Sequence, residues 1–197
     1  MTNKHNTGTS WSFITDHVED CAYWENGFTK EECEAIIFLG ESKQLKEAKV
    51  IAEDPELQGV RDSEVSWLYP EDCEWLFRRL TSIITELNNQ YFKFNLFGFT
   101  EGFQFTKYSA PGGKYGKHID KLFSGQIRKL SVTMQLSDPS TYTGGELKLY
   151  NSENPVIGKK DQGYITVFPS YILHEVAPVT VGTRYSLVAW ATGEPFK

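Results

Sequence analysis

Beyond about residue 94 the hydrophobic pattern of this chain has a period of two. In the segment IRKLSVTMQLS, Leu130, Val132, Met134 and Leu136 fall on one face while Ser131, Thr133 and Gln135 fall on the other. The segments FNLFGFT, GFQFTKYS, GELKLYN, GYITVFPS, HEVAPVT and RYSLVAWAT continue the pattern, separated by turn residues. Many short strands of this kind close into a sandwich, a jelly roll or a barrel. The first 90 residues read differently. Thr29 is a fair N-cap for KEECEAIIFLGES, Glu32 completes a capping box, and Ala35, Ile36 and Leu39 recur at helical spacing. A second helix starts near Pro70 or Glu71, carries a stripe of Trp75, Leu76, Leu80, Ile83, Ile84 and Leu87, and stops at Asn88-Asn89. Residues 47–68 read as one or two short strands with a turn. Helices followed by strands make the chain α+β.

A length of 197 residues, with 40% hydrophobic and 23% charged positions, suits one domain with a single core. Residues 1–93 would form a mainly helical support and residues 94–197 the strand-rich core. No apolar run is long enough for a membrane helix, and the start MTNKHNTGTSWSF lacks an apolar leader. Cys21, Cys33 and Cys73 are odd in number and lack CxxC spacing, which fits free thiols in a reducing compartment. A cytoplasmic protein with no membrane contact is the expectation. Residues 1–90 carry 8 basic against 18 acidic side chains, whereas residues 91–197 carry 12 against 8. The overall −6 argues against a nucleic-acid partner, and the basic half suits a small anion.

The four histidines are His5, His17, His118 and His174. His118-Ile119-Asp120 is an HxD, and on a strand residues i and i+2 point to one side. With His174 from another strand, two imidazoles and a carboxylate would form the facial triad of non-heme Fe(II) oxygenases. An acid two places after a histidine arises by chance roughly one time in eight in such a composition. His17-Val18-Glu19 is such a chance pair, and His17 reads as a solvated residue. His118 has better company. Arg184, one of five arginines, lies ten residues after His174, where a dicarboxylate cosubstrate would need a bidentate cation. Tyr108 and Tyr115 precede His118, and Ser186, Val188 and Trp190 share the strand face of Arg184.

The segments YSAPGGKYGKHID (108–120), LSDPSTYTGGEL (136–147) and FPSYILHEVAPVTVGTRYSLVAW (168–190) resemble the Fe(II)- and 2-oxoglutarate-dependent dioxygenases of the prolyl 4-hydroxylase superfamily, particularly its short bacterial and phage members. The resemblance is strong over residues 99–194 and looser over 11–98. It implies a double-stranded β-helix, or jelly roll, with the N-terminal helices packed on the outer face of the major sheet. It implies iron ligation by His118, Asp120 and His174, and pairing of Arg184 with the distal carboxylate of 2-oxoglutarate. Tyr108, Tyr115 and Trp190 would line the cosubstrate pocket. Other members use lysine at the place of Arg184. Fe(II), 2-oxoglutarate and O2 are thereby implied, with ascorbate a candidate auxiliary reductant.

The expected reaction hydroxylates a C–H bond and releases succinate and CO2. A peptidyl proline is the favoured substrate; free amino acids, small metabolites and nucleobases stay open, as do a non-catalytic cupin-like metal module and a zinc hydrolase. Gly144-Gly145 reads as a tight turn, with Glu146 hydrogen-bonded rather than catalytic. Lys107, Lys114, Lys117, Lys121, Arg128 and Lys129 would form a basic rim that steers anions and disfavours basic peptides.

Overall fold

The computed structural model describes residues 18–48, 60–120 and 126–195. In chain order they form β1 (Ala22–Trp24), α1 (Lys30–Ser42), β2 (Lys46–Glu47), β3 (Arg61–Asp62), β4 (Glu64–Leu68) and α2 (Pro70–Leu87), which runs on into a π-helical turn, Asn88–Phe92. Then come β5 (Leu96–Phe99), β6 (Phe103–Ser109), β7 (Lys114–His118), β8 (Arg128–Gln135), β9 (Tyr142–Gly144), β10 (Leu147–Tyr150), β11 (Val156–Ile157), β12 (Ile165–Pro169), β13 (Leu173–Val176) and β14 (Val179–Gly193). Among the described residues, the larger sheet runs β1-β12-β8-β14-β6-β4-β2, with β5 and β9 also pairing β14. The smaller runs β11-β10-β13-β7-β3. Every pairing is antiparallel, and the two sheets form a jelly roll.

The period-two pattern of β8 now has a physical reading. Leu130, Val132 and Met134 lie opposite Ala191, Ala189 and Leu187 of β14, and this apolar face packs with Ile36, Leu76, Leu80 and Ile84 of the helices. Both helices therefore cover the outer face of the larger sheet. Ser131, Thr133 and Gln135 lie opposite Trp190, Val188 and Ser186, and line the space between the sheets.

α1 begins as its sequence dictates. The Thr29 hydroxyl accepts from the Glu32 amide at 3.2 Å, and the Glu32 carboxylate accepts from the Thr29 amide at 3.0 Å. Its buried stripe is Cys33, Ile36 and Gly40. Gly40 lets the helix approach the sheet closely, since a Cβ there would lie 2.3 Å from the Phe105 ring. Ala35, expected in the stripe, is exposed, and Leu39 is half-buried. In α2, Trp75 is likewise at the surface, beside Phe28 and Arg79, while the other stripe residues are buried.

Two further details differ from the sequence reading. The strands expected at HEVAPVT and RYSLVAWAT divide elsewhere: β13 ends at Val176 and a single 15-residue strand starts at Val179. Pro178 has no amide to continue the first ladder. Strands before residue 94 also extend both sheets, β1 and β4 in the larger and β3 in the smaller. Among the described residues, no helix is long and apolar enough to cross a membrane.

Candidate metal centre and anion pocket

β7 and β13 pair so that His118 and His174 are direct partners. Their imidazoles turn inward, with ring centroids 4.1 Å apart. Each ring is fixed through Nδ1, which donates to a backbone carbonyl, Gly116 for His118 (2.7 Å) and Ile172 for His174 (2.9 Å). That tautomer leaves both Nε2 lone pairs free, and both face Asp120: His118 Nε2 lies 3.6 Å from Oδ1 and His174 Nε2 3.4 Å from Oδ2. The Asp120 amide donates to the Ser170 carbonyl at 3.0 Å, and the Ser131 hydroxyl donates to Oδ2 at 2.7 Å. One potential ligand atom from each of the three residues lies within 4.8 Å of the others. Two imidazoles and one carboxylate on one side of a shared point is the donor set of the facial triad.

The electrostatics follow from burial. Desolvation, then the charge of His174, pushes the His118 imidazole down to about 4, so it is neutral at ordinary pH. Burial alone would raise Asp120, but the hydrogen bond and charge of His174 outweigh it and hold the carboxyl well below the usual range. His174 moves up because Asp120 outweighs its desolvation. The charge of Asp120 thus favours a cation at His174 Nε2, be it a proton or a metal ion.

This cluster lines a cavity of about 260 Å³, and Arg184 lines the same cavity. Arg184 is 1% exposed. Its Nε donates to Gln135 Oε1 at 3.2 Å and its Nη1 to Ser186 Oγ at 3.4 Å, but buried Nη2 has no hydrogen-bond partner. Among the described residues no carboxylate forms an ion pair with it. An unpaired buried charge is costly, by several kcal/mol. The site therefore fits an anion, and a dicarboxylate suits a guanidinium at one end and a metal at the other. Tyr108 packs beside it, ring centroid 5.3 Å from Cζ, with its phenol raised by burial.

Tyr115 lies on the His118 ring, and Trp190 lines the cavity with its buried Nε1 unpartnered. The Arg128 guanidinium covers the Trp190 ring at 3.7 Å and pairs with both carboxylate oxygens of Glu101 at 2.8 and 2.6 Å. All seven residues singled out in the sequence line one cavity. His5, His17 and Lys121 lie outside the described residues.

The basic rim forms only in part. Lys107 pairs with Glu41 and Glu64, Lys117 lies over Tyr150, and Lys129 is buried with its ammonium 5.3 Å from the Phe94 centroid. Acidic partners from the N-terminal half and aromatic faces take up these charges. Sequence reasoning did not assign roles to Arg61, Trp67, Glu101, Gln104 and Gln135. For Gln135 a signal existed, because a polar face between two apolar sheets must line a cavity. Glu146 accepts from Lys160 at 3.3 Å, as expected of a structural residue.

Comparison with known proteins agrees with this geometry. The model of the 2OG-Fe(II) oxygenase superfamily matches residues 103–192. A PKHD-type hydroxylase of Prochlorococcus marinus is 42% identical over 90 residues, 45% of this chain and 40% of that protein. One of Maricaulis maris is 41% identical over 80 residues, 40% of this chain and 36% of that protein. The chain thus covers only about two fifths of these relatives' length. Among solved structures, a Pseudomonas putida prolyl-4-hydroxylase superposes with TM-score 0.71 at 20% identity, over 89% of this chain and 94% of that one. A viral collagen prolyl hydroxylase from Paramecium Bursaria Chlorella virus-1, in complex with 2OG, gives 0.65 at 18% identity, over 90% and 97%. Residues 103–192 of the chain are thus similar to the 2OG-Fe(II) oxygenase superfamily.

Proposed function

We propose that this protein is an Fe(II)- and 2-oxoglutarate-dependent dioxygenase that hydroxylates a C–H bond. One observation carries the reading: a buried guanidinium without an anion shares a 260 Å³ cavity with two inward imidazoles and a carboxylate. His118, Asp120 and His174 would hold Fe(II), and Arg184, with Tyr108 beside it, would hold the distal carboxylate of 2-oxoglutarate. Bound Fe(II) and 2-oxoglutarate supply O2 activation, the cosubstrate leaving as succinate and CO2. The chain's own groups orient and shield. Backbone carbonyls fix both histidine tautomers, Ser131 fixes Asp120, and the Arg184 guanidinium sets the cosubstrate's direction.

The substrate we propose is a peptidyl proline. Support comes from the aromatic cavity walls, Tyr115, Trp67 and Trp190, which suit a pyrrolidine ring, and from relatives that are hydroxylases. A proline-rich peptide is already extended as polyproline II, which lowers its ordering cost. Anaerobic addition of Fe(II) and 2-oxoglutarate tests the class: a visible charge-transfer band is expected, and its absence would overturn the oxygenase reading. Mass spectrometry of proline peptides, free amino acids and oligonucleotides after aerobic incubation tests the substrate. One added oxygen on proline peptides is expected; modification confined to the other substrates would defeat the prolyl assignment.

A further inference from the structure

The cavity holds a further guanidinium for which the cosubstrate has no use. Arg61 stands on β3 opposite Tyr115 of β7, and the Gly116 amide donates to the Val60 carbonyl at 2.7 Å, so the strand pairing fixes its backbone. Its half-buried side chain lines the same cavity as the metal-binding residues. Two neutral oxygens orient the guanidinium: Nε donates to Ser63 Oγ at 2.9 Å and Nη2 to Gln104 Oε1 at 2.8 Å, and both partner residues are buried. Among the described residues Nη1 donates to nothing and no carboxylate pairs with Arg61. Arg128, which lines the cavity too, is neutralised by Glu101. Charge balance then singles Arg61 out. With Fe(II) and 2-oxoglutarate bound, the metal ion and Arg184 offset Asp120 and the two carboxylates of the cosubstrate, while both histidines are neutral as ligands. Among the described residues that line the cavity, Arg61 keeps the uncompensated charge. A guanidinium held in one orientation is ready to take a carboxylate.

We propose that Arg61 binds a carboxylate of the substrate, so that the prolines hydroxylated are those with an acid group close by: an adjacent Asp or Glu side chain, or the proline's own free carboxylate at a chain end. This rests on the prolyl reading above and narrows it. Tyr115 links the two halves of the site, because its ring lies on the His118 imidazole and its centroid is 4.5 Å from Arg61 Cζ. A carboxylate on Arg61 therefore holds its neighbouring ring close to the metal-binding residues, between Tyr115 and the Trp67 and Trp190 walls. A basic side chain in the same place meets a like charge and is rejected. Arg61 is a specificity residue for the substrate and takes no part in holding the cosubstrate.

The test is calorimetric titration of the full chain, loaded with Mn(II) and 2-oxoglutarate, with blocked peptides in which the residues beside one proline are Asp, Asn or Lys. A peptide ending at the proline, with its carboxylate free or amidated, distinguishes the two sources of the acid. The wild type should bind at least one acidic form about tenfold more tightly than its neutral counterpart, and the Lys peptide most weakly. Arg61→Gln should erase the preference, Arg61→Lys should keep part of it, and Arg61→Glu should favour the Lys peptide. Affinity for 2-oxoglutarate should stay within about twofold in all three variants, which also checks that the pocket is folded. Equal binding of acidic and neutral peptides by the wild type, or an acid preference that survives Arg61→Gln, overturns the proposal and leaves the prolyl reading standing. Loss of 2-oxoglutarate affinity in Arg61→Gln with the peptide preference kept would assign Arg61 to the cosubstrate and overturn it too. Binding of no peptide at all overturns the proposal together with the prolyl substrate, and a wild type that takes up no 2-oxoglutarate overturns the oxygenase reading itself.

Discussion

Tyr115 lies nearly flat on the His118 imidazole, ring centroids 3.5 Å apart at 15°, and the same phenol ring carries the Arg61 guanidinium 4.5 Å from its centroid. The ring thus holds His118 in place from a neighbouring position on β7. Tyr115→Ala should weaken Fe(II) or Mn(II) binding by about tenfold, in the range for groups that orient metal ligands. Tyr115→Phe should bind metal like the wild type. Equilibrium dialysis of both variants decides; equal losses would assign the effect to the hydroxyl instead of the stack.

Replacing His118, Asp120 or His174 by alanine should each nearly abolish metal-dependent turnover of 2-oxoglutarate, with double variants little worse than single ones, because the three act as a unit. His17→Ala should leave turnover near wild type. Succinate release, measured across the set, checks this, and a His17 defect as deep as that of His174 would relocate the centre.

Arg184→Ala should bind 2-oxoglutarate roughly 10- to 150-fold less tightly, the equivalent of about 1.5–3 kcal/mol for a charge-assisted contact. Metal affinity should hold. Arg184→Lys should recover part of the loss, since the ammonium supplies charge but not the planar fork. Titration of the charge-transfer band under nitrogen reads all three, and joint loss of metal and cosubstrate binding would indicate a misfolded barrel.

Stability should respond on the outer face. Gly40→Ala drives a methyl into the Phe105 ring and should cost about 1–3 kcal/mol by overpacking. Thr29→Ala removes one half of a complete capping box and should cost about 1 kcal/mol. Urea unfolding measures both, and affinity for 2-oxoglutarate should be unchanged in each, because neither residue borders the cavity.

The thiols should differ in reactivity. Burial raises Cys33 to about 12 and Cys73 to about 11, whereas Cys21 is partly exposed. In native protein at about pH 8, only Cys21 should label quickly with a thiol reagent. The unfolded chain gives up its thiol protons first as pH rises above about 8.5. The two buried thiols therefore contribute stability that is full below that value and is lost as pH climbs towards their folded values. Rapid labelling of Cys33 in the folded state would contradict its burial.

Much of this was legible from residue order because the signals were local. The capping box at Thr29 and Glu32, the alternation of Leu130, Val132 and Met134, and the HxD of His118 and Asp120 each lie within a few residues. Arg184 was legible because it lies ten residues after His174 on an apolar strand, where a dicarboxylate would need a bidentate cation. Gln135 carried a signal in the polar face of β8 but was not assigned a role, because its use depends on pairing with β14 and on Arg184 from that strand. Arg61 was missed because its use depends on β3 pairing with β7, a contact across the chain. Trp75 and Ala35 were misplaced because a helix stripe tolerates either neighbour until the sheet beneath it is known. The basic rim forms only in part for the same reason, since Glu41, Glu64 and Glu101 reach Lys107 and Arg128 from other elements.

β14 pairs with β5, β6, β8 and β9 at once, and its inward side chains run from Arg184 to Trp190. During synthesis, β6 and β8 emerge well before the strand that joins them, so the larger sheet stays in two halves until residues 179–193 have left the ribosome. Contacts of such sequence separation form slowly. Until then both halves expose open edges next to β6 and β8, the positions most prone to pair with another chain. The strand that measures the pocket is also the one whose late arrival closes the barrel, so a nascent chain gains its fold and its anion site in the same step.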